Sequence, residues 1–439
     1  MTFDLVIRAA SVLIDGEFRP AEVGVTDGVI AAVGPERLEG RQSVELVDDA
    51  VLIPGVVDTH VHINEPGRTD WEGFASATRA AAAGGVTTVI DMPLNSIPPT
   101  TTVEALDLKR EAAGTSVVNV GFWGGAVPQS LGHLRELWDA GVFGFKCFLS
   151  PSGVDEFEHL SPAQLDAAME EIAGFGGLLI VHAEDPGVLD AHLDADGGTD
   201  YHRFVESRPP EAEVTAIERV IAGSRKHGTR AHILHLSSAA ALPTLRAARA
   251  EGLPITVETC PHYLVFDEEH IPDGGTQFKC CPPIRDEANR ELLWQALLDG
   301  DIDIIVTDHS PSTAELKFAH GGDFGLAWGG IAGLQTGLSA IWTEAQRRGI
   351  PLTRVLEWMS SSTARFAGLE TKGRIAVGAD ADLVAFAPAD TFTVHADELL
   401  HKNPVSAFDG RELHGVVRTT WLAGAPVTDD TRGTLLVRG

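Results

Sequence analysis

The chain has 439 residues, and its 63 acidic side chains outnumber its 33 basic ones to give a formal charge of −30. Such a charge repels phosphate backbones and anionic lipids, which argues against nucleic acid or membrane partners. The length predicts one large α/β barrel of about 250 to 300 residues with a smaller unit beside it. No run approaches the roughly 18 apolar residues of a membrane helix, and residues 1–8 lack a signal-peptide layout, so we expect a cytoplasmic protein.

The first 52 residues predict short β-hairpins. Alternating runs such as DLVIRAASVLI and GVIAAVG are broken by the turn signals Asp15-Gly16 and Asp27-Gly28. We expect these hairpins to form the first part of a small β-sandwich.

Residues 53–372 predict a (β/α)8 TIM-like barrel. Short apolar runs, most of them followed by Ala- or Leu-rich stretches, alternate through this region, and a parallel sheet covered on both faces needs such strands. In these barrels chemistry gathers at the carboxyl ends of the strands. Eight runs can be counted from about residue 51 to 310: VLIPGVVDTHVHI, VTTVIDMP, VVNVGFWGG, GVFGFKCFLS, LLIVHAED, RAHILHLSS, LPITVETCPHY and DIDIIVTDHSP.

The first run ends in an HxH pair. His60 and His62 are two residues apart on a strand, so their imidazoles point to the same face and can converge on one metal ion. An isolated HxH pair is more often explained by chance or by core packing. Its position at the end of the first barrel strand favours a metal site.

The fourth run carries Lys146 between apolar neighbours. Burial without a partner disfavours the ammonium form and lowers the pKa of a lysine toward neutrality. A neutral amine can react with CO2 to give a carbamate, a carboxylate-like group able to bridge two metal ions. The alternative is a lysine that reaches solvent or pairs with a buried acid.

The fifth and sixth runs add two histidines to the same strand ends. His182 closes LLIVHAED, whereas AHILHLSS offers both His232 and His235. Their spacing of three places these two on opposite faces of a regular strand. We predict that His235, nearer the carboxyl end, faces the interior and that His232 packs outward against helices.

The eighth run ends at Asp308, which can be a turn cap or a metal ligand. As a ligand it would also accept the proton of the attacking water. Four histidines, a carbamate and a carboxylate suffice for two divalent ions roughly 3.5 to 4 Å apart. Imidazole and oxygen ligands suit zinc, our first expectation, with manganese, cobalt and iron as alternatives.

Residues 373–439 return to the character of the first 52. GRIAVGADADLVAF and GVVRTTWLAGAPV contain strand and turn signals. We therefore predict that both ends of the chain join in one small β-sandwich beside the barrel.

Motifs along essentially the whole chain resemble those of the cyclic amidohydrolases, the family of hydantoinases, dihydropyrimidinases and dihydroorotases. They include HVHINEPG, FKCFL, VHAED, HILHLSS, ETCPHYL and VTDHSP. Within that family, DMPLNSIPPT, KCCPPIR, AWGGIAGLQ and KNPVSAF are most similar to the allantoinase branch. The resemblance implies hydrolysis of the cyclic amide bond of allantoin to allantoate, a barrel with a β-sandwich, and a homotetramer.

The resemblance also implies roles for single residues. It assigns one ion to His60, His62 and Asp308 and the other to His182 and His235. N6-carboxylated Lys146 would lie between the ions, and Asp308 would act as the catalytic acid and base. Substrate would contact the backbone near Cys281, Ala332 and Gly333, and the side chains of Cys281 and Ala332 differ from those of some relatives.

Two departures separate this sequence from other branches. Dihydroorotases carry an arginine two residues after the second histidine, where this chain has Asn64, and a neutral amide is a poor partner for a carboxylate. Hydantoinases carry a tyrosine shortly after the lysine, whereas this chain reads Cys147-Phe148-Leu149-Ser150-Pro151. Both differences favour a small, uncharged, ureido-bearing ring.

Three further residues are candidates for the pocket wall. Asn95, Ser96 and Trp328 either line the pocket or cap turns, and the Gly-rich loop after Asp308 is either a lid or an ordinary barrel loop. Two rival functions stay open. One is a hydantoinase or dihydropyrimidinase acting on related cyclic ureides, and the other is a non-catalytic scaffold.

Overall fold

The computed structural model describes residues 2–47, 49–193 and 197–439. Its strands fall into one eight-stranded sheet and two parallel sheets of six and three strands. In chain order the strands are β1 Thr2–Ile14, β2 Glu17–Thr26, β3 Val29–Gly34, β4 Glu39–Glu45, β5 Val51–Pro54, β6 Val56–Val61, β7 Val86–Asp91, β8 Asn119–Phe122, β9 Gly124–Gly125, β10 Phe145–Phe148, β11 Leu178–His182, β12 Arg230–Ile233, β13 Ile255–Thr259, β14 Ile304–Ile305, β15 Leu383–Thr393, β16 Glu412–Leu422 and β17 Ala425–Pro426.

Helices separate most of the parallel strands. In chain order they are α1 Phe74–Ala83, α2 Val103–Ala112, α3 Leu134–Asp139, α4 Pro162–Ala173, α5 Pro186–Asp190, α6 Tyr201–Ser207, α7 Pro210–His227, α8 Leu242–Ala250, α9 Pro261–Val265, α10 Glu287–Asp299, α11 Ala314–Phe318, α12 Gly337–Arg347, α13 Leu352–Leu356 and α14 Ser362–Phe366. Within the described ranges none of these helices combines the length and the apolar character needed to cross a membrane.

The eight-stranded sheet is built from both ends of the chain. Its order is β17-β16-β15-β5-β1-β2-β3, with β4 on β1. The two predicted hairpin turns are confirmed, since Asp15 and Gly16 have φ of 51° and 80°, and Asp27 and Gly28 have φ of 51° and 78°. Positive φ at both central residues gives the primed turn that matches the twist of antiparallel strands.

The first apolar run is divided between two sheets at Gly55. Strand β5 pairs with β15 and β1 in the eight-stranded sheet, whereas β6 pairs in parallel with β7. A side chain at Gly55 would place its Cβ 2.0 Å from Thr87 Oγ1, so only glycine allows this close passage. The predicted boundary between residues 52 and 53 therefore falls inside β5, which is a strand of the eight-stranded sheet.

The parallel strands follow one another in chain order. One sheet runs β6-β7-β8 and the other β9-β10-β11-β12-β13-β14, and nearly every strand residue in them is buried. Main-chain contacts also link the two sheets: Phe143 N donates to Phe122 O at 3.0 Å, and His62 N donates to His309 O at 2.8 Å. The result is an α/β architecture in which successive strands end on the same side.

Local sequence explains how the long helix α7 is delimited. Pro210 occupies its first turn, and two glutamates there complement the positive end of the helix dipole. Arg225, Lys226 and His227 lie in the last turn, and Gly228 follows with a φ of 74°. Glycine adopts this left-handed conformation without steric cost, so the helix ends there.

Candidate metal centre

The six predicted ligands converge at the carboxyl ends of the parallel strands. His60 lies in β6 and Lys146 in β10, His182 ends β11, and the other three follow strands. All six side chains are buried, with exposed fractions of 8% or less. The set is His60, His62, Lys146, His182, His235 and Asp308.

Two of the histidines meet at the carboxylate of Asp308. His60 Nε2 lies 3.1 Å from Asp308 Oδ1, and His62 Nε2 lies 3.4 Å from the same oxygen. Lys146 Nζ is 3.5 Å from His60 Nε2. The two imidazoles of the HxH pair therefore face one oxygen, with the lysine amine beside them.

The other two histidines form a second group next to the first. His182 Nδ1 and His235 Nε2 lie 3.0 Å apart. The rings of His60 and His235 have centroids 5.4 Å apart, so the two groups adjoin. One ligand atom each from His60, His235 and Asp308 fall within 4.8 Å of one another.

The hydrogen bonds on the far side of the rings test whether these groups fit metal ions. His60 Nδ1 is 2.5 Å from a Glu258 oxygen and His182 Nε2 is 2.7 Å from a Glu184 oxygen, so each carboxylate accepts the ring proton. The opposite nitrogens then present lone pairs, His60 toward the Asp308 carboxylate and His182 toward His235. A ring lone pair that faces a carboxylate at about 3 Å needs a cation between the two, and buried imidazoles beside a carboxylate are a donor set that fits divalent metal.

The pKa shifts agree with this reading. Burial lowers the pKa of His60, but Asp308 and Glu258 outweigh it and raise the pKa to about 9, so a proton stands in for a metal on that ring. Burial, together with the neighbouring Lys146, lowers the pKa of His62 to about 3. Burial likewise lowers the pKa of His235, so that ring stays neutral and able to ligate.

Lys146 has the altered basicity that the sequence predicts. Burial lowers its pKa from 10.5 to about 8, against the opposing influence of Asp308 and Glu258. Its Nζ also lies 4.9 Å from the centroid of the Phe148 ring. At neutral pH a substantial minority of this amine is therefore unprotonated and nucleophilic.

Three site residues adopt backbone conformations that side chains normally avoid. The φ angles are 68° at Asn95, 37° at His235 and 46° at Asp308. Left-handed conformations of this kind cost free energy in non-glycine residues and cluster at functional sites. Each follows or adjoins the end of a parallel strand, where it turns a side chain toward the centre.

A cavity of about 350 Å³ opens onto the ligands, within the size range of small-molecule sites. Of the predicted substrate contacts, Asn95 and Cys281 line it, whereas Ala332 and Gly333 are not among the lining residues. Gly333 instead directs its N–H to His309 Nδ1 at 3.3 Å. The other lining residues include His62, Lys146, Phe148, His182, Arg208, His235, Lys279, Asp308 and Trp328.

Of the other two candidate wall residues, Trp328 lines the cavity and Ser96 does not. Trp328 and the neighbouring segment 325–330 line the cavity, so the loop after Asp308 forms part of its wall. Ser96 is completely buried and is not a lining residue. Asn64 donates to Pro311 O at 3.4 Å and is also absent from the lining, so its amide does not face the cavity.

The prediction that His232 packs outward is wrong. Its Nε2 lies 3.0 Å from Glu258 Oε2, and Glu258 also contacts His60. The alternation of faces assumes a regular strand, but β12 ends at Ile233 and the chain then turns at His235. Both histidines consequently approach the centre.

Sequence reasoning missed the two glutamates behind the ligands. Glu258 lies in β13, and Glu184 follows His182 and is held by Arg208 at 2.6 Å. Hydrogen bonds and opposite charges outweigh burial and lower the pKa of each glutamate to about 2, so both are carboxylates. A charged residue inside an apolar strand run, as in LPITVETC, is the only local signal of this role.

On this α/β scaffold the converging side chains form a candidate site for divalent metal ions. The model of the amidohydrolase family matches residues 51–427. The chain is 57% identical to the allantoinase of Streptomyces avermitilis over 97% of its own length and 96% of that protein. It is 43% identical to the allantoinase of Saccharomyces cerevisiae, over 97% and 96% of the two chains.

Two solved hydantoinase structures resemble the chain over nearly its whole length. The L-hydantoinase of Arthrobacter aurescens superposes with a TM-score of 0.91 at 30% identity, over all of this chain and 98% of that one. A D-hydantoinase from a Bacillus species gives 0.88 at 28% identity, covering 99% of each chain. The chain belongs to the amidohydrolase family, whose members are metal-dependent hydrolases.

Proposed function

We propose that the protein hydrolyses allantoin to allantoate. The observation that carries the proposal is the 57% identity to an allantoinase along nearly the whole chain, together with the six converging side chains. The cavity of about 350 Å³ suits a small ring. Its wall includes the flat face of Phe148 and the amide of Asn95, which suit an uncharged ureide. Of the cationic side chains in the wall, Arg208 is paired with Glu184 and Lys279 donates to Ala327 O.

The proposed cofactor is a pair of divalent ions, zinc in the first instance. His60, His62 and Asp308 would hold one ion, and His182 and His235 the other. Lys146 would bridge them as a carbamate, in which its neutral Nζ has bonded the carbon of CO2 and lost one proton. Bound ions of this kind lower the pKa of water toward about 7 and polarise a carbonyl oxygen.

Asp308 is the proposed acid and base of the reaction. Its carboxylate takes a proton from the attacking water as a C–O bond forms at the ring carbonyl. The same oxygen then delivers that proton to the ring nitrogen as the C–N bond breaks, which leaves a carboxylic acid and a ureido group. His60 and His62 hold Asp308 Oδ1 within 3.4 Å and keep it aimed at this point.

The remaining residues of the cavity would orient the substrate. Phe148 stacks on His182 with centroids 4.5 Å apart, so its ring is fixed and gives the substrate a flat surface. Asn95 Nδ2 lies 3.5 Å from His62 Nδ1, which places the amide beside the ligands. The backbone near Cys281, which lines the cavity, is proposed to contact the ureido groups. The predicted contacts near Ala332 and Gly333 would come from the chain just beyond the wall segment 325–330.

The larger architecture is part of the proposal. We infer that the parallel strands close into a (β/α)8 barrel of residues 53–372, since Val61 forms a parallel bridge with His309 beyond β14. Residues 1–52 and 373–439 would form the β-sandwich. A homotetramer and a cytoplasmic location remain predictions.

A direct assay tests the proposed function. Purified protein loaded with zinc and bicarbonate is incubated with allantoin, hydantoin and dihydrouracil, and the ring-opened products are measured with and without a chelator. We expect allantoate to form fastest and the chelator to stop it. Faster turnover of hydantoin or dihydrouracil would support the hydantoinase alternative, and bound metal without turnover of any substrate would support the scaffold alternative.

A further inference from the structure

Glu258 occupies a position shared by both groups of ligands. It lies in β13 and is 1% exposed. Its Oε1 is 2.5 Å from His60 Nδ1 and also accepts a hydrogen bond from the main-chain N of His235 at 3.1 Å. One carboxylate oxygen therefore touches a ligand of the first proposed ion and the backbone of a ligand of the second.

The main chain of Glu258 strengthens this link. Leu236 N donates to Glu258 O at 2.8 Å, so the backbone and the side chain of Glu258 each accept a hydrogen bond from the segment His235-Leu236. That segment has a φ of 37° at His235, a conformation that needs support from its surroundings. Glu258 supplies two of the hydrogen bonds that hold it.

Glu258 is in turn held from behind. Its Oε2 lies 3.0 Å from His232 Nε2, and His232 Nδ1 lies 2.7 Å from the hydroxyl of Thr256. Thr256 lies on the same strand two residues before Glu258. The carboxylate therefore has partners on both oxygens and a fixed orientation.

The second buried glutamate is connected differently. Glu184 Oε2 contacts His182 Nε2 at 2.7 Å and Arg208 Nη1 at 2.6 Å. His182 is the only proposed ligand among these partners. Glu184 therefore supports one ion subsite, whereas Glu258 touches both.

We propose that Glu258 is a positioning residue that couples the two metal subsites, so that its loss weakens both ions together. The inference rests on the ligand assignment of the proposed function. The hydrogen bond from His60 Nδ1 to a carboxylate fixes the tautomer and raises the basicity of Nε2, the nitrogen that faces Asp308. The bond to His235 N fixes the backbone turn that aims the other ring.

The test uses three glutamine substitutions that keep side-chain shape and remove one charge. Glu258→Gln is the test variant and Glu184→Gln is the comparison on one subsite. Glu213→Gln is the control, because buried Glu213 holds the same loop through Ser237 N at 3.0 Å and Ser238 N at 3.1 Å without contacting a ligand. Its other oxygen pairs with Arg285.

Metal binding is measured directly, by zinc content after dialysis and by competition with a chromophoric chelator. Losses of about 10- to 100-fold in affinity are typical when such a supporting partner is removed. Glu258→Gln should show a loss of this size for both ions, Glu184→Gln for one ion, and Glu213→Gln for neither. Cobalt absorption spectra should change at both sites in Glu258→Gln only.

Wild-type affinity for both ions in Glu258→Gln, or a loss confined to one ion, would overturn the inference. If that variant does not fold, judged by circular dichroism of the metal-free protein, His232→Leu replaces it and should give the same paired loss at smaller size. Paired loss that is absent there too would also overturn it. Wild-type protein that binds two ions but leaves allantoin intact would refute the proposed function and leave the role of Glu258 standing.

Discussion

The lowered pKa of Lys146 predicts an unusual pH dependence for its reaction with CO2. At pH 7 an amine with a pKa of about 8 is roughly 10% neutral, whereas one with a pKa of 10.5 is only about 0.03% neutral. Burial therefore makes Lys146 about 300-fold richer in the reactive form. At a fixed concentration of dissolved CO2, carbamate formation in metal-free protein should rise about tenfold per pH unit up to roughly pH 8 and then level off.

The assay follows the carbamate carbon by ¹³C NMR after addition of labelled CO2, with the pH varied and dissolved CO2 held constant. Lys146→Met keeps an unbranched apolar side chain as far as Cε and removes the amine, so it gives the background from the other amines. A rate that continues to climb tenfold per unit beyond pH 9 would show that Lys146 has the basicity of an exposed lysine. Equal carbamate signals from Lys146→Met and from the wild-type protein would show that Lys146 forms no carbamate.

Three further outcomes are expected. Asp308→Asn should lower kcat by about 10² to 10⁴, the usual contribution of a general acid and base, while the melting temperature stays within a few degrees of the parent; near-normal turnover would exclude the assigned role. Removal of metal by a chelator should abolish turnover and added zinc should restore it, as followed by allantoate formation; activity that survives complete metal removal would contradict this. Lys109→Met should lower the free energy of unfolding, measured in urea, by about 3 to 5 kcal/mol, because it leaves the buried Asp91 carboxylate without its cationic partner. Lys109 Nζ lies 2.5 Å from this carboxylate, which also accepts a hydrogen bond from Ile63 N at 2.7 Å. An unchanged denaturation midpoint would contradict this.

Periodicity and turn chemistry accounted for much of the fold. The Asp-Gly turns required positive φ at both residues, and the structure has it. The apolar runs correctly indicated parallel strands with functional groups at the carboxyl ends, because strands covered on both faces present polar side chains at their ends. The division at Gly55 could not be predicted, since it depends on the distance to Thr87 in another strand.

The site was predictable only where the chemistry is visible in one strand. An HxH pair carries its own geometry, and a lysine among apolar neighbours implies an altered pKa. The orientation of His232 depends on where β12 ends, and the partners of Glu258 come from β6 and from the segment after β12. These contacts join residues as much as 198 positions apart, which no local pattern encodes.

X-ray diffraction with anomalous scattering at the zinc edge, on crystals grown with zinc and bicarbonate, tests the central claim most directly. We expect two zinc peaks roughly 3.5 to 4 Å apart, with carbamate density on Lys146 between them. The four histidines should divide two and two between the peaks, with Asp308 on the ion of His60 and His62. A single peak or none, with Lys146 unmodified and turned away from the ligands, would contradict it.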